Sequence, residues 1–262
     1  MALPKIITLL TDFGLQDVYV GVMKGVISAI APQASIVDLT HEIHPQDLVS
    51  GSFALQSAYS YFPQGTVHVA VVDPGVGSHR RGVAVLFVGG YLVGADNGLF
   101  SSVLQQNQAI AAVELTNSQY WRVSSPSQTF HGRDIFASVG AHLANGIKLS
   151  QLGNAISVES LVTLPALLLR REKGQIVGLI QYCDRFGNLV TNIAASDVSS
   201  QAKVVFRERS IPLVATYSSK DSGSLIALIG SHGFLEIAMN CGSARHALQA
   251  KIGDPILIID NP

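Results

Sequence analysis

From Ile6 to about Ala144 the chain alternates short apolar runs with stretches of helical periodicity. "IITLL" is followed by Val18, Val22, Val26 and Ile30 at i, i+4 spacing, and "SIVDL" by a helical stretch from Asp47 to Tyr61. "VHVAVV", "VAVLFV" and "AIAAVEL" continue the series. Near-continuous apolar strands mark a sheet buried on both faces, and strands that alternate with helices need crossover connections. The pattern predicts an α/β sandwich domain on a mainly parallel sheet. After "VTLPALLLRREKG" the rhythm changes to strand after strand: "QIVGLIQYC", "NLVTNI", "AKVVFRE", "IPLVATY", "SLIALIG", "FLEIAMN" and "PILIID". Closely spaced strands with Gly, Asn and Ser turns predict a smaller antiparallel barrel or sandwich. The boundary falls between Leu164 and Gly174, giving expected domains 1–165 and 174–262.

Ligands of open parallel sheets bind beyond the carboxyl ends of the strands. Asp12 ends "IITLLTD", Asp73 ends "VAVVD" and Asp96 follows "YLVGA", which sets three carboxylates along one sheet edge. A single Asp at such a place often starts a turn or caps a helix. Three together favour a site. In "DPGVGSHRRG", Gly75, Gly77 and Gly82 do not fit G-x-G-x-x-G, and no G-x-x-x-x-G-K-[ST] occurs, so the glycines read as a tight turn that admits close approach. Arg80 and Arg81 read equally well as site residues or as solvated loop side chains. "TFHGRDIFA" places His131 at the mouth of a helix whose first turn Asp134 supports. His41 and His44 of "HEIH", with Asp12, Asp73 and His131, offer a rival metal site, but no H-E-x-x-H or Cys/His spacing accompanies them, and no metal is expected.

Composition narrows the choice of partner. Charged residues are 13 % of the chain against about 25 % in ordinary soluble domains, which predicts surface covered by other copies of the chain. A net charge of −1 gives no electrostatic footprint for nucleic acid or for an anionic membrane, leaving a small-molecule substrate as the default partner. No apolar run approaches the roughly 18 residues of a membrane span, and "KIITLL" stops at Asp12 without a cleavage pattern. The expectation is a soluble, cytoplasmic protein. Cys183 and Cys241 read as small core residues.

Taken in order, "LLTDFGLQDVYVGVMKG", "DLTHEI", "VVDPGVGSHRRG", "ADNGLF", "FHGRDIFA", "DRFGNLVTNI" and "SHGFLEIAMN" resemble the S-adenosylmethionine hydroxide adenosyltransferases, relatives of the enzymes that halogenate S-adenosylmethionine at C5′. The resemblance runs through most of the chain. It implies an N-terminal α/β domain, a C-terminal β-barrel, and a homotrimer that holds substrate between the N-domain of one subunit and the C-domain of its neighbour. It also implies attack of water on C5′ to give adenosine and L-methionine, without metal or other cofactor. The catalytic trio then falls on Asp73, Arg80 and His131, and the ribose hydroxyls on Asp12. Asp17 and Asp184 match carboxylates near the methionine ammonium, while Phe186, Asn188, Ser231, Glu236 and Met239 match the adenine and methionine lining. His232 stands where the halogenating relatives carry an arginine, so the resemblance leaves the methionine carboxylate without that partner.

Such chemistry needs these residue types. The leaving group is a neutral thioether and takes no proton, so the difficulty lies with water, whose pKa is about 15.7. Arg80 would supply a fixed positive charge, His131 would accept or relay a proton, and Asp73 would orient both. Two alternatives share the pocket: a non-enzymatic S-adenosylmethionine or adenosine sensor, and halide-dependent adenosyl transfer. A charged, protic trio favours water over either.

Overall fold

The computed structural model describes residues 5–259; residues 1–4 and 260–262, the outer ends of the two expected domains, lie outside the described residues. The chain divides into two compact units between Leu164 and Pro165.

The first unit runs β1 (Ile6–Thr11), α1 (Tyr19–Ile30), β2 (Ser35–Thr40), α2 (Leu48–Tyr59), β3 (Thr66–Val71), β4 (Gly82–Phe87), β5 (Gly90–Ala95), α3 (Ser101–Gln106), β6 (Ala109–Glu114), α4 (Ala137–Ala144) and β7 (Asn154–Ile156). The sheet order is β2-β1-β3-β5-β4-β6-β7, with β1, β2, β3 and β5 pairing in parallel. Every residue of β3 is buried: Val67, Val69 and Val71 enter one core with Met23, Ile27 and Val139, while Ala70 enters another with Leu55, Leu92 and Leu99. Two apolar layers explain why these strands read as unbroken apolar runs. Strand β4 departs from the parallel series because only Val88 and Gly89 link Phe87 to Gly90, its partner in β5. Two residues close a hairpin and cannot make a crossover. Helix α1 forms where the i, i+4 valines predict it, yet its buried face is Val20, Met23 and Ile27, and Val18 and Val22 lie exposed.

One buried ionisable group sits in this sheet. His68 of β3 lies opposite Thr8 of β1, with Nδ1 2.8 Å from Thr8 Oγ1 and the Phe62 and Phe87 rings against it. Burial pushes its pKa down from 6.5 to about 4. Because the unfolded chain takes up this proton first, the site's contribution is complete above pH 6.5 and is lost as pH falls towards 4, amounting to about 3 kcal/mol. Urea unfolding at several pH values should show this loss, and the paired substitution Thr8→Val with His68→Leu should flatten it.

The second unit contains β8 (Arg170–Glu172), β9 (Gln175–Cys183), β10 (Leu189–Ala194), β11 (Lys203–Phe206), β12 (Arg209–Ile211), β13 (Leu225–Ile229), β14 (Phe234–Met239), α5 (Ala244–Leu248) and β15 (Pro255–Ile259). Its antiparallel sheet runs β12-β11-β15-β9-β10-β14-β13, with β8 pairing with β9. The two edges approach each other where Ala227 donates to Pro212 O at 2.9 Å and accepts from Val214 N at 2.8 Å, so the sheet is nearly a barrel around Ile180, Ile193, Phe206, Leu235 and Ile256. The strand expected over "IPLVATY" stops at Ile211, because Pro212 has no N–H for the ladder. Among the described residues, no helix is long and apolar enough to cross a membrane.

Candidate active site

The carboxyl ends of β1, β3 and β5 carry Asp12, Asp73 and Asp96, but the three do different things. Asp96 is buried against Arg81, whose Nε donates to Oδ2 at 2.9 Å, and its Oδ1 accepts from Val162 N at 2.8 Å. Arg81 also reaches Ser160 O at 2.6 Å. Arg81 is therefore a structural clamp, where the sequence left open a solvated side chain. Asp12 and Asp73 instead line a cavity of about 410 Å³ with Phe13, Tyr19, Phe130 and His131.

The loop after β3 folds tightly on itself: Val76 N donates to Asp73 O, Ser78 Oγ to Gly75 O, and Arg80 N to Ser78 Oγ. Gly77 has φ +78°, and a Cβ there would lie 2.5 Å from Gln128 O. Only glycine lets this loop meet the one that carries His131. The meeting brings Arg80 against both partners. Its Nε donates to Asp73 Oδ1 and Oδ2 at 3.0 and 3.1 Å, its Nη2 contacts Oδ2, and the same Nη2 lies 2.7 Å from His131 Nδ1. The Asp73 and Arg80 side chains are 4 % and 11 % exposed, and Phe136 lies beneath the guanidinium at 5.4 Å. Since arginine only donates, His131 Nδ1 is the acceptor and a neutral ring carries its proton on Nε2. Burial, then the Arg80 charge, hold the His131 pKa below its ordinary value.

Asp134 fixes this geometry from behind. Its carboxylate, 1 % exposed, accepts from Arg122 Nε at 2.6 Å, Arg133 Nε at 2.7 Å and Ser127 N at 2.9 Å. These bonds, the Arg133 one first, hold its pKa well below the usual carboxylate range. The residues after His131 form a π-type turn, Gly132–Phe136, before α4. Asp134 thus does more than support a first helical turn: it ties residues 122–127 to the start of the helix.

The other sequence-derived positions scatter more widely. Asp12 Oδ2 accepts from Gln46 N at 2.8 Å, while Asp17 is exposed ahead of α1 and is not among the cavity's lining residues. His41 is buried, with Nδ1 2.8 Å from Thr11 Oγ1 and Nε2 3.1 Å from Asp38, whereas His44 is exposed. Among the described residues, no group of three or more His, Cys, Asp or Glu is placed to hold a metal ion. Phe13, Tyr19 and Phe130, whose ring centroids lie 5.2 to 5.8 Å apart, form the aromatic wall and were not singled out from sequence. Aromatic residues beside apolar runs look like ordinary core.

The second unit has its own cavity, about 430 Å³, lined by Asp184, Phe186, Asn188, Tyr217, Met239 and Cys241. Asp184 accepts from the backbone and side-chain nitrogens of Asn188, each at 2.8 Å, so "DRFGN" closes into a self-bonded turn. Ser231 is exposed and Glu236 is buried; neither is among the residues lining this cavity. Tyr217, absent from the sequence-derived set, donates its hydroxyl to Glu236 Oε1 at 2.7 Å, and burial followed by that bond pushes its pKa up. Cys241 is exposed at φ +56° and Cys183 is only half-buried, which corrects their reading as core residues. The turn from Met239 to Gly242 carries Cys241 out of β14.

The mostly parallel sheet thus carries an Asp–Arg–His array beyond one strand end, and it is joined in sequence to a near-barrel with a cavity of its own. Residues 7–153 match the SAM hydroxide adenosyltransferase N-terminal domain and residues 178–257 its C-terminal domain, and the chain belongs to that family. It is 40 % identical to the (R)-S-adenosyl-L-methionine hydrolase of Thermus thermophilus, over 95 % of this chain and 98 % of the relative. A fluorinase of Actinoplanes is 27 % identical over 95 % of each chain. A crystal structure of an uncharacterized conserved protein from Thermotoga maritima superposes with a TM-score of 0.91 at 36 % identity, covering 97 % of this chain and all of the other (100 %).

Proposed function

We propose that this chain hydrolyses S-adenosyl-L-methionine at C5′, giving adenosine and L-methionine. The observation that carries the reading is the Asp73–Arg80–His131 array on the cavity of the first unit, in a chain with relatives at 35–40 % identity that are named (R)-S-adenosyl-L-methionine hydrolase. Water oxygen forms a bond to C5′ as the C5′–S bond breaks, and the electron pair returns to sulfur to leave neutral L-methionine. The water proton departs through the array to solvent. The bonding pattern supports a division of roles. Arg80 ties Asp73 to His131 and offsets the carboxylate's charge; Asp73, on the cavity wall, accepts from the attacking water; His131, neutral, keeps Arg80 in place through Nδ1. A proton reaches His131 Nδ1 only if Arg80 lets go, which moves the accepting role expected of His131 towards Asp73. Asp12 would accept from the ribose hydroxyls, a role supported by its bond from Gln46 N, which steadies the carboxylate on the cavity wall.

The same proposal includes a homotrimer, supported by the charge-poor composition, and turnover without metal or other cofactor. Incubation of the protein with S-adenosylmethionine, with and without chloride and EDTA, should yield adenosine in every arm. Release of 5′-chloroadenosine would favour halide transfer, binding without product would favour a sensor, and loss in EDTA restored by Zn²⁺ would favour a metal enzyme.

Protonated His131 cannot accept from Arg80, so activity should fall in acid as His131 takes up a proton. The midpoint of that limb is expected below 6.5, the ordinary imidazole value, because burial and Arg80 both lower the pKa. A kcat profile against pH checks this; a limb centred above 6.5 would contradict it.

A further inference from the structure

We infer that Glu236 and His232 are positioning residues, a buried brace that fixes the phenol of Tyr217 in the wall of the second unit's cavity. The inference rests on the proposed activity and adds the source of nucleoside affinity on the barrel side.

Glu236 lies within β14, opposite Val190 of β10 and Leu228 of β13, and is 4 % exposed. A carboxylate so placed is costly unless its oxygens are bonded. Both are. Oε1 accepts from the Tyr217 hydroxyl at 2.7 Å and Oε2 lies 3.1 Å from His232 Nε2. His232 Nδ1 accepts from Phe234 N at 3.2 Å, which leaves the ring proton on Nε2, facing Glu236. A Cβ on Gly230 would lie 2.4 Å from His232 Nε2 and 3.0 Å from Glu236 Oε2, so the imidazole closes over the carboxylate only because residue 230 has no side chain.

The exposed end of the brace is Tyr217. It opens a short 3-10 turn, Tyr217–Ser219, is 45 % exposed, and lines the cavity with Asp184, Asn188 and Met239. A phenol on an irregular segment keeps its freedom unless its far end is tied, and the bond to a buried carboxylate ties it. Glu236 does not line the cavity, so it acts on a ligand through Tyr217. His232 directs its Nε2 proton to Glu236 and not to a substrate carboxylate.

A double-mutant cycle of Tyr217→Phe and Glu236→Leu tests this, read as the adenosine Kd by calorimetry and as KM and kcat for S-adenosylmethionine. Each single change should weaken adenosine by roughly tenfold, with the loss in turnover falling mainly on KM. The double variant should bind no more weakly than Tyr217→Phe alone, because one connection is being cut twice. Glu236→Gln keeps an acceptor for the phenol and should recover most of the affinity; if Glu236→Leu does not fold, the contrast between Tyr217→Phe, roughly tenfold weaker, and Glu236→Gln, close to the parent, decides the point, and equal losses in these two would overturn the inference. Effects that multiply, or singles that change nothing, would overturn the inference. A parent protein that binds adenosine but does not cleave S-adenosylmethionine would contradict the proposed activity and leave the adenosine cycle to decide this point. A parent that binds no adenosine would overturn both.

Discussion

Arg80→Ala should lower kcat for S-adenosylmethionine by roughly 10²–10⁴ while changing adenosine affinity little. Arg80 is the only group in the array that bonds both others, and removing it leaves Asp73, 4 % exposed, as a carboxylate without its cation. Without the Nε and Nη2 bonds of Arg80 the carboxylate loses the contacts that hold it in place on the cavity wall, and it no longer orients the attacking water. His131→Ala should fall in the same range because Arg80 loses its second anchor. Asp12→Ala should show the opposite balance, weakening adenosine by about 1.5–3 kcal/mol for each ribose hydrogen bond lost. Arg81→Ala provides the control: it neighbours Arg80 in sequence but clamps Asp96 and Ser160, so it should lower stability and spare kcat. Steady-state kinetics and calorimetry on the four variants separate these outcomes.

Asp134→Ala carries the second large effect, on stability and site together. The carboxylate is 1 % exposed and bonds two guanidinium groups and the Ser127 amide, so its removal breaks a partly buried ionic network. Loss of one member of a fully buried pair costs about 3–5 kcal/mol, and because Arg122 and Arg133 keep 40 % and 28 % exposure the low end applies, about 3 kcal/mol. For a chain of this size the melting temperature should drop by roughly 6–12 °C. The residues that carry His131 are tied down by the same bonds, so kcat should fall as well. Asp134→Asn retains an acceptor for Ser127 N and should lose about half as much stability. Calorimetric melts with parallel assays check both, and an unchanged melting temperature would remove Asp134 from the account.

The parts of the fold that were legible share one physical cause. A strand buried on both faces must be apolar along its length, so β1, β3 and β5 announced themselves, and Asp12, Asp73 and Asp96 were visible as interruptions at their ends. Their fates were not visible. Whether a carboxylate opens on a cavity or is consumed by a neighbour depends on contacts such as Arg81 with Asp96, or Val162 with Asp96 across 66 residues, which no local pattern records. The same holds for His131, whose bond to Arg80 spans 51 residues and requires Gly77 against Gln128. Glu236 misleads by its surroundings: in "FLEIAMN" it alternates with Leu235 and Ile237, as a solvent-facing residue would, yet it is buried by two donors that the chain brings from either side. Tyr217 was masked by "IPLVATY", an apolar run that Pro212 cuts short.

The central claim is that water, activated by the Asp73–Arg80–His131 array, is the nucleophile at C5′. A single turnover in oxygen-18 water, with the products resolved by mass spectrometry, tests it directly. Adenosine should be labelled at its 5′-hydroxyl and L-methionine unlabelled, with the label gained at a rate that falls with kcat in Arg80→Ala. Unlabelled adenosine, or a 5′-halogenated nucleoside in its place, would contradict it.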